Sequence, residues 1–265
     1  MSGGASDPRV RMATQALGDI GRVIIVCSVK GGVGKSTVAV GLASGLSRIG
    51  RTVGLVDLDF KATPIKRMTG VSGNRRGNRS GIVPFIADGV KIMSAATEVG
   101  ERALPVGGGE AESLVVGFLS VVNWGRLDYL VADMPPGMGD ELMALLRLAG
   151  SKAVALLVTT PSVLSLDAVV KLVAFLRGEG VGIVGLVENM SYVTCDCGNI
   201  LRPFGEIDER RLREAGLGQP VVKLPIDPEV EKSLCRGLSV LDTPVLGEGL
   251  RRLAVLVDGS GHSSS

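Results

Sequence analysis

Lys30-Gly31-Gly32-Val33-Gly34-Lys35-Ser36-Thr37 stands directly between the apolar run Val23 to Cys27 and an Ala/Val/Leu-rich stretch with helical spacing. A strand, a glycine-rich turn and a helix in that order make a phosphate-binding loop. The glycines let backbone N–H groups turn inward around phosphate oxygens, Lys35 supplies a point charge for the β- and γ-phosphates, and the Ser36 hydroxyl is placed to ligand Mg²⁺. The ordinary G-x-x-x-x-G-K-[ST] pattern puts its first glycine at position 29, where this chain has Val29, and an additional lysine, Lys30, follows. The expected ligand is a nucleoside triphosphate.

Working outward, strand-like runs fall around 22–28, 52–57, 90–94, 128–133, 153–159, 182–188 and 220–224. Helix-like runs fall around 35–49, 110–122, 139–149, 163–178, 206–215, 228–236 and 244–256. Such alternation predicts right-handed βαβ units, and hence a single α/β P-loop NTPase domain with a mostly parallel sheet flanked by helices. Residues 1–20 read as a short N-terminal arm, 21–257 as the ATPase domain and 258–265 as a disordered tail. Ligands of such sheets bind at the carboxyl ends of the strands, where the Lys30 to Thr37 loop lies.

Composition narrows the function classes. The 265 residues are 45% hydrophobic with 38 glycines, and the mean hydropathy is +0.35. Those values suit strands covered on both faces and joined by tight turns. No apolar run approaches the ~18 residues of a membrane span, and the N-terminus lacks a signal-peptide apolar region. The chain therefore reads as cytoplasmic, and its four cysteines as thiols or metal ligands rather than disulfides. A net charge of +2 and 3% aromatics give no case for nucleic acid. The basic cluster Arg75, Arg76 and Arg79, set among Gly, Asn and Ser, reads as a solvated loop. The single histidine, His262, is in the Ser/Gly tail, so acid–base chemistry falls to carboxylates, lysines, water or the substrate.

Two acid groups complete the expected site. Asp57 and Asp59 end the run Val53-Gly54-Leu55-Val56-Asp57-Leu58-Asp59, one strand on from the phosphate loop, where carboxylates can hold Mg²⁺ waters and orient an attacking water. Asp133 ends Tyr129-Leu130-Val131-Ala132-Asp133 and leads into Met134-Pro135-Pro136-Gly137-Met138-Gly139-Asp140. An Asp at a buried strand end before such a loop fits a Walker-B acid with a switch that senses the γ-phosphate.

The phosphate loop, Asp57-x-Asp59, the Asp133 to Asp140 stretch, Thr159-Thr160-Pro161 and Glu188-Asn189-Met190-Ser191-Tyr192 followed by cysteines together resemble the Mrp/ApbC group. These are deviant-Walker ATPases, relatives of MinD and ParA, that carry iron-sulfur clusters. The resemblance runs from about residue 15 to 257. It implies an ATP-dependent homodimer in which Lys30 reaches the partner's nucleotide. It also implies that Asn189 and the Leu224-Pro225-Ile226-Asp227-Pro228 segment, with Pro225 and Asp227, flank the base. The partners implied are iron-sulfur apoproteins and a cluster assembly scaffold. The nucleotide site is then Gly31, Gly32, Val33, Gly34, Lys35, Ser36, Thr37, Asn189, Pro225 and Asp227. Lys30, Lys35 and Asp59 carry slow hydrolysis, and Ser36, Asp57 and Asp133 hold Mg²⁺.

Where the family has C-x-x-C after Ser-Tyr, this chain has Cys195-Asp196-Cys197-Gly198. The pair is too close for a framework disulfide and lies in a polar segment. Two thiolates from each of two subunits make the four ligands of a [4Fe-4S] cluster or of a tetrahedral Zn²⁺ site, and the resemblance favours the cluster. Cys27, inside an apolar strand, and Cys235, beside Leu234, read as packing residues. The alternative function is a MinD/ParA-type spatial-organisation ATPase. It needs a membrane-targeting helix or a DNA-binding patch, whereas Leu250 to Val257 reads more simply as a packed terminal helix. A nitrogenase-type reductase needs a cysteine near the second switch, and Met134 to Asp140 has none.

Overall fold

The computed structural model describes residues 7–60, 64–71, 77–78, 81–94, 108–195, 197–218, 221–235 and 239–260. Arg75, Arg76, Arg79, Asp196, His262 and the Cys235 side chain lie outside them. The elements in chain order are α1 (Pro8–Gly18), β1 (Ile20–Cys27), α2 (Lys35–Arg48), β2 (Val53–Asp57), α3 (Pro64–Thr69), β3 (Gly77–Asn78), β4 (Gly81–Ile82), β5 (Phe85–Ala87) and β6 (Val90–Ser94). There follow α4 (Gly108–Val121), β7 (Leu127–Asp133), α5 (Asp140–Ala149), β8 (Ala153–Thr159), α6 (Val163–Gly178), β9 (Gly182–Thr194), β10 (Ile200–Leu201), α7 (Glu209–Glu214), β11 (Val222–Pro225), α8 (Glu229–Cys235) and α9 (Leu246–Ser260).

The main sheet runs β10-β9-β8-β1-β7-β2-β6-β5, with β11 also paired to β9. Its central pairings are parallel, while β5 and β10 run antiparallel to their neighbours. The apolar runs explain this burial. Along β1, Val23, Ile25 and Cys27 face one core and Ile24 and Val26 the other, so a strand covered on both sides has no polar alternation to show. One face carries α1, α4, α5 and α6, and the other α2 and α9. On the second face Gly41 lets α9 come close to α2, because a Cβ there would sit 2.5 Å from Leu250.

Helices stand at both ends of the described chain. Asp7 caps α1 by accepting from the Arg9 N–H, and Ala13 and Leu17 bury against α4 and α5. At the other end α9 continues to Ser260. Asp258 there accepts two hydrogen bonds from Arg51, each 2.8 Å, and one from the Tyr129 hydroxyl, 2.9 Å. The terminal helix spends its apolar face on the core, with Leu250, Leu253, Ala254 and Val257 buried. Among the described residues no helix is long and apolar enough to cross a membrane.

Candidate functional site

The register of the parallel strands assembles the site. Cα pairings set Val26 beside Asp133, Asp133 beside Asp57, and Asp57 beside Ser94, so β1, β7, β2 and β6 end on one edge. The phosphate loop leaves β1 at that edge and enters α2 at Lys35. Gly32 and Gly34 take positive φ, +76° and +80°, the left-handed region that glycine adopts without strain. The switch segment after Asp133 lies against the loop: the Gly137 N–H donates to the Ser28 carbonyl, 2.8 Å, and the Ser28 hydroxyl donates to the Lys30 carbonyl, 3.0 Å.

Lys35 and Asp133, 7% and 0% exposed, form a buried ion pair through Lys35 Nζ and Asp133 Oδ1. The Ser36 hydroxyl donates to the other oxygen of Asp133, 2.6 Å. Burial pushes the Asp133 carboxyl above the usual carboxylate range, against the opposing pull of Lys35 and Ser36. Asp57 accepts from the Asp59 N–H, 3.1 Å, and the Ser94 hydroxyl, 3.0 Å. Burial first, and the Asp133 charge second, push its carboxyl up to about 8. Asp59 is half-buried, and Lys30 is exposed. Ser36, Asp57 and Asp133 carry only oxygen donors, a chemistry that suits Mg²⁺.

Asn189 comes to this site in a way the sequence did not indicate. Its Nδ2 donates to the Val33 carbonyl, 2.8 Å, from a 5% exposed position. A Cβ on Gly34 would lie 2.1 Å from that nitrogen. The contact depends on an irregularity in β9: Lys223 pairs with Glu188 but Pro225 with Tyr192, so β9 carries extra residues there, and Met190 adopts φ +56°. Glu188, read from the sequence only as a member of the same motif, is buried beside Asn189. It accepts from the Ser191 hydroxyl at 2.6 Å and faces Lys223 Nζ at 3.6 Å. An acid closing the apolar run Ile183 to Val187 was the available signal.

Other expected residues are placed as follows. Val33 is a core side chain and Thr37 is half-buried in the first turn of α2, while Gly31 and Gly32 are exposed. Pro225 ends β11 and lines a cleft of about 450 Å³ with Tyr192, Lys223 and Arg252. Asp227 spends one carboxylate oxygen on the Glu229 N–H, 2.9 Å, and the other on the Leu246 N–H, 3.1 Å, joining the starts of α8 and α9. Cys27 is buried, and burial pushes its thiol up to about 12.

The cysteine pair lies beyond that edge. Thr159 of β8 pairs with Glu188, yet β9 runs on to Thr194, and Cys195 and Cys197 come between β9 and β10. The expectation of free thiols is corrected here: Cys195 and Cys197 are joined as a disulfide. The turn brings this about, with the Gly198 N–H donating to the Cys195 carbonyl at 2.8 Å and Gly198 at φ +82°. The resulting Cα–Cα distance of 5.3 Å lies in the bonding range. Among the described residues no group of three or more His, Cys, Asp or Glu is placed to hold a metal, so one chain offers two sulfurs.

Known proteins share this sequence and fold. The model of the family described as ParA, NUBPL iron-transfer P-loop NTPase, matches residues 19–248. The iron-sulfur cluster carrier protein of Saccharolobus solfataricus is 38% identical over 213 residues, covering 78% of this chain and 72% of the relative. The cytosolic Fe-S cluster assembly factor NUBP2 of Bos taurus is 37% identical over 232 residues, covering 82% of this chain and 84% of the relative. Among solved structures, a nucleotide-binding protein of Archaeoglobus fulgidus in complex with ADP superposes with a TM-score of 0.77 at 31% identity, covering 90% of this chain and 96% of that one.

Proposed function

The chain belongs to the ParA-type NUBPL iron-transfer P-loop NTPases, and on that premise we propose that it is a homodimeric, slowly hydrolysing ATPase that carries iron-sulfur clusters to apoproteins in the cytoplasm. The observation that carries this reading is the continuity of β9, which holds Asn189 on the phosphate loop and, beyond Thr194, presents Cys195 and Cys197. A nucleotide site and a sulfur pair on one strand suit a protein that binds a triphosphate and a thiophilic cargo together. The names of the relatives, a cluster carrier and a cytosolic assembly factor, support the same cargo and compartment.

In this reading the β- and γ-phosphates draw Lys35 from its pairing with Asp133, exchanging one buried charge partner for another. Bound Mg²⁺ would supply charge neutralisation for the phosphates, held by Ser36 and, through water, by Asp57 and Asp133. Asp59 orients the attacking water. Lys30, exposed on the loop, crosses to the partner's nucleotide and stabilises charge on the transferred phosphoryl group. Asn189 holds the loop open at Val33, and with Pro225 and Asp227 it borders the base. Turnover is slow, because a switch loses its signal if its triphosphate vanishes quickly. The cargo, a [4Fe-4S] cluster with Zn²⁺ as the competing thiophile, is bound by the reduced cysteines of two chains. The partners are an assembly scaffold that supplies the cluster and apoproteins that receive it.

Transfer tests the reading. Anaerobically loaded protein mixed with a cluster-free ferredoxin should restore that acceptor's spectrum, and the Cys195→Ser, Cys197→Ser double variant should not. Equal restoration by free iron and sulfide at matched concentration would remove the carrier role.

A further inference from the structure

The Cys195–Cys197 disulfide closes a very short loop, its cysteines two residues apart in sequence. A cross-link constrains the unfolded chain in proportion to the logarithm of the loop it closes, so this one adds little to the fold. The hairpin that carries it has its own ties: Ile200 pairs with Thr194, Leu201 with Val193, and the Cys195 N–H donates to the Asn199 carbonyl at 2.9 Å. The two sulfurs also differ. Cys197 is exposed and Cys195 half-buried, and the Cys197 N–H donates to the Cys195 sulfur at 3.1 Å. Access decides which sulfur of a disulfide is attacked, and stabilisation decides which one leaves.

We propose that Cys195 and Cys197 are a reversible, dithiol-exchanging disulfide, with Cys197 the attacked sulfur, and that the pair accepts cargo only when reduced. The gating clause rests on the carrier reading above, and the exchange clause does not. The partner is defined by chemistry as a dithiol reductant. One of its sulfurs bonds to Cys197 Sγ as the Cys195–Cys197 bond breaks, and Cys195 leaves with the bonding pair and takes up a proton. The reductant's second sulfur then displaces Cys197, which is also protonated. The chain gains two electrons and two protons, and the reductant ends as its own disulfide. An external disulfide oxidant runs the sequence backwards. The exposed side chains of Ile200, Leu201 and Phe204 beside the turn give an incoming protein partner an apolar rim.

The experiment equilibrates the full chain, free of metal, in dithiothreitol buffers of graded reduced-to-oxidised ratio. Iodoacetamide then traps the thiols and peptide mapping assigns the labels. Labels on Cys195 and Cys197 should appear together in one two-electron transition. A monothiol reductant, quenched early with iodoacetamide, should leave its mixed disulfide on Cys197 and the iodoacetamide label on Cys195 at least about tenfold more often than the reverse. Both cysteines labelling fully at every ratio, or mixed disulfide on Cys195 as often as on Cys197, overturns the exchange clause. In a second arm, oxidised protein given iron and sulfide anaerobically should take up none until dithiothreitol is added. Equal loading of oxidised and reduced protein overturns the gating clause. No loading of reduced protein overturns the carrier reading and the gating clause with it, while the labelling arm still judges the exchange.

Discussion

Gly34→Ala tests the brace between β9 and the phosphate loop. Two terms set its cost. At φ +80° an alanine adopts a left-handed conformation that costs about 1–2 kcal/mol. Its Cβ would also lie 2.1 Å from Asn189 Nδ2, so Asn189 must withdraw and leave the buried Val33 carbonyl without its donor, for about 1–3 kcal/mol more. Asn189→Ala alone strands the same carbonyl and carries only the second cost. If the two sites were independent, the double variant would lose the sum of the two single variants. The geometry says otherwise: with Asn189 already gone, Gly34→Ala adds only the backbone term, so the cycle should close with a coupling of about 1–3 kcal/mol. Urea midpoints of the four proteins without nucleotide give that coupling, and titration calorimetry with ADP shows the same pattern in the loop's affinity. Additive losses within about 0.5 kcal/mol would mean that Asn189 and Gly34 do not meet.

Lys35→Ala should abolish ATP binding by calorimetry and destabilise the protein by about 3–5 kcal/mol, since Asp133 is left buried without its cation. Lys35→Ala combined with Asp133→Asn should recover most of that stability in thermal melts but not the binding. Asp57 has its pKa raised to about 8 in the fold. Its stabilising contribution is therefore complete below the unfolded value near 3.8 and is lost as pH rises through 8. Magnesium-free melting temperatures of wild type should accordingly fall over that window relative to those of Asp57→Asn, and parallel profiles would count against the assignment. Asp59→Ala should bind ATP yet release phosphate at least about tenfold more slowly. Lys30→Ala should lose ATP-dependent dimerisation in sedimentation, and normal hydrolysis with a normal dimer would sink the crossing lysine.

What the sequence disclosed follows the range of the interactions involved. Strands β1, β7 and β8 were legible as continuous apolar runs because both faces bury, and the loop between β1 and α2 because its glycines and lysine act locally. The helix α1 was not legible, since only Ala13 and Leu17 of its eleven residues bury and the rest reads as a short arm. Strand β10 is two exposed residues whose only strand signal is the hairpin itself. The ends of β2 and β7 gave Asp57 and Asp133 as site acids, but not the ion pair of Asp133 with Lys35, which depends on strand order. Asn189 was found as a motif member and not as a brace, because its contact needs the bulge at Met190 and a loop 156 residues away. The cysteines were legible as a pair, and their joining depends on a turn that C-x-C spacing does not announce.

In the proposed carrier the two cysteines of each chain meet those of a second copy around one cluster. Reduced protein can be reconstituted anaerobically, with iron, sulfide and zinc assayed on the same sample whose mass is read by sedimentation. The expected product is a dimer with charge-transfer absorbance and about four iron atoms per two chains, lost in the Cys195→Ser, Cys197→Ser variant while ATP binding survives. Iron retained by that variant, or zinc bound in stoichiometric amount with no iron uptake, would contradict it.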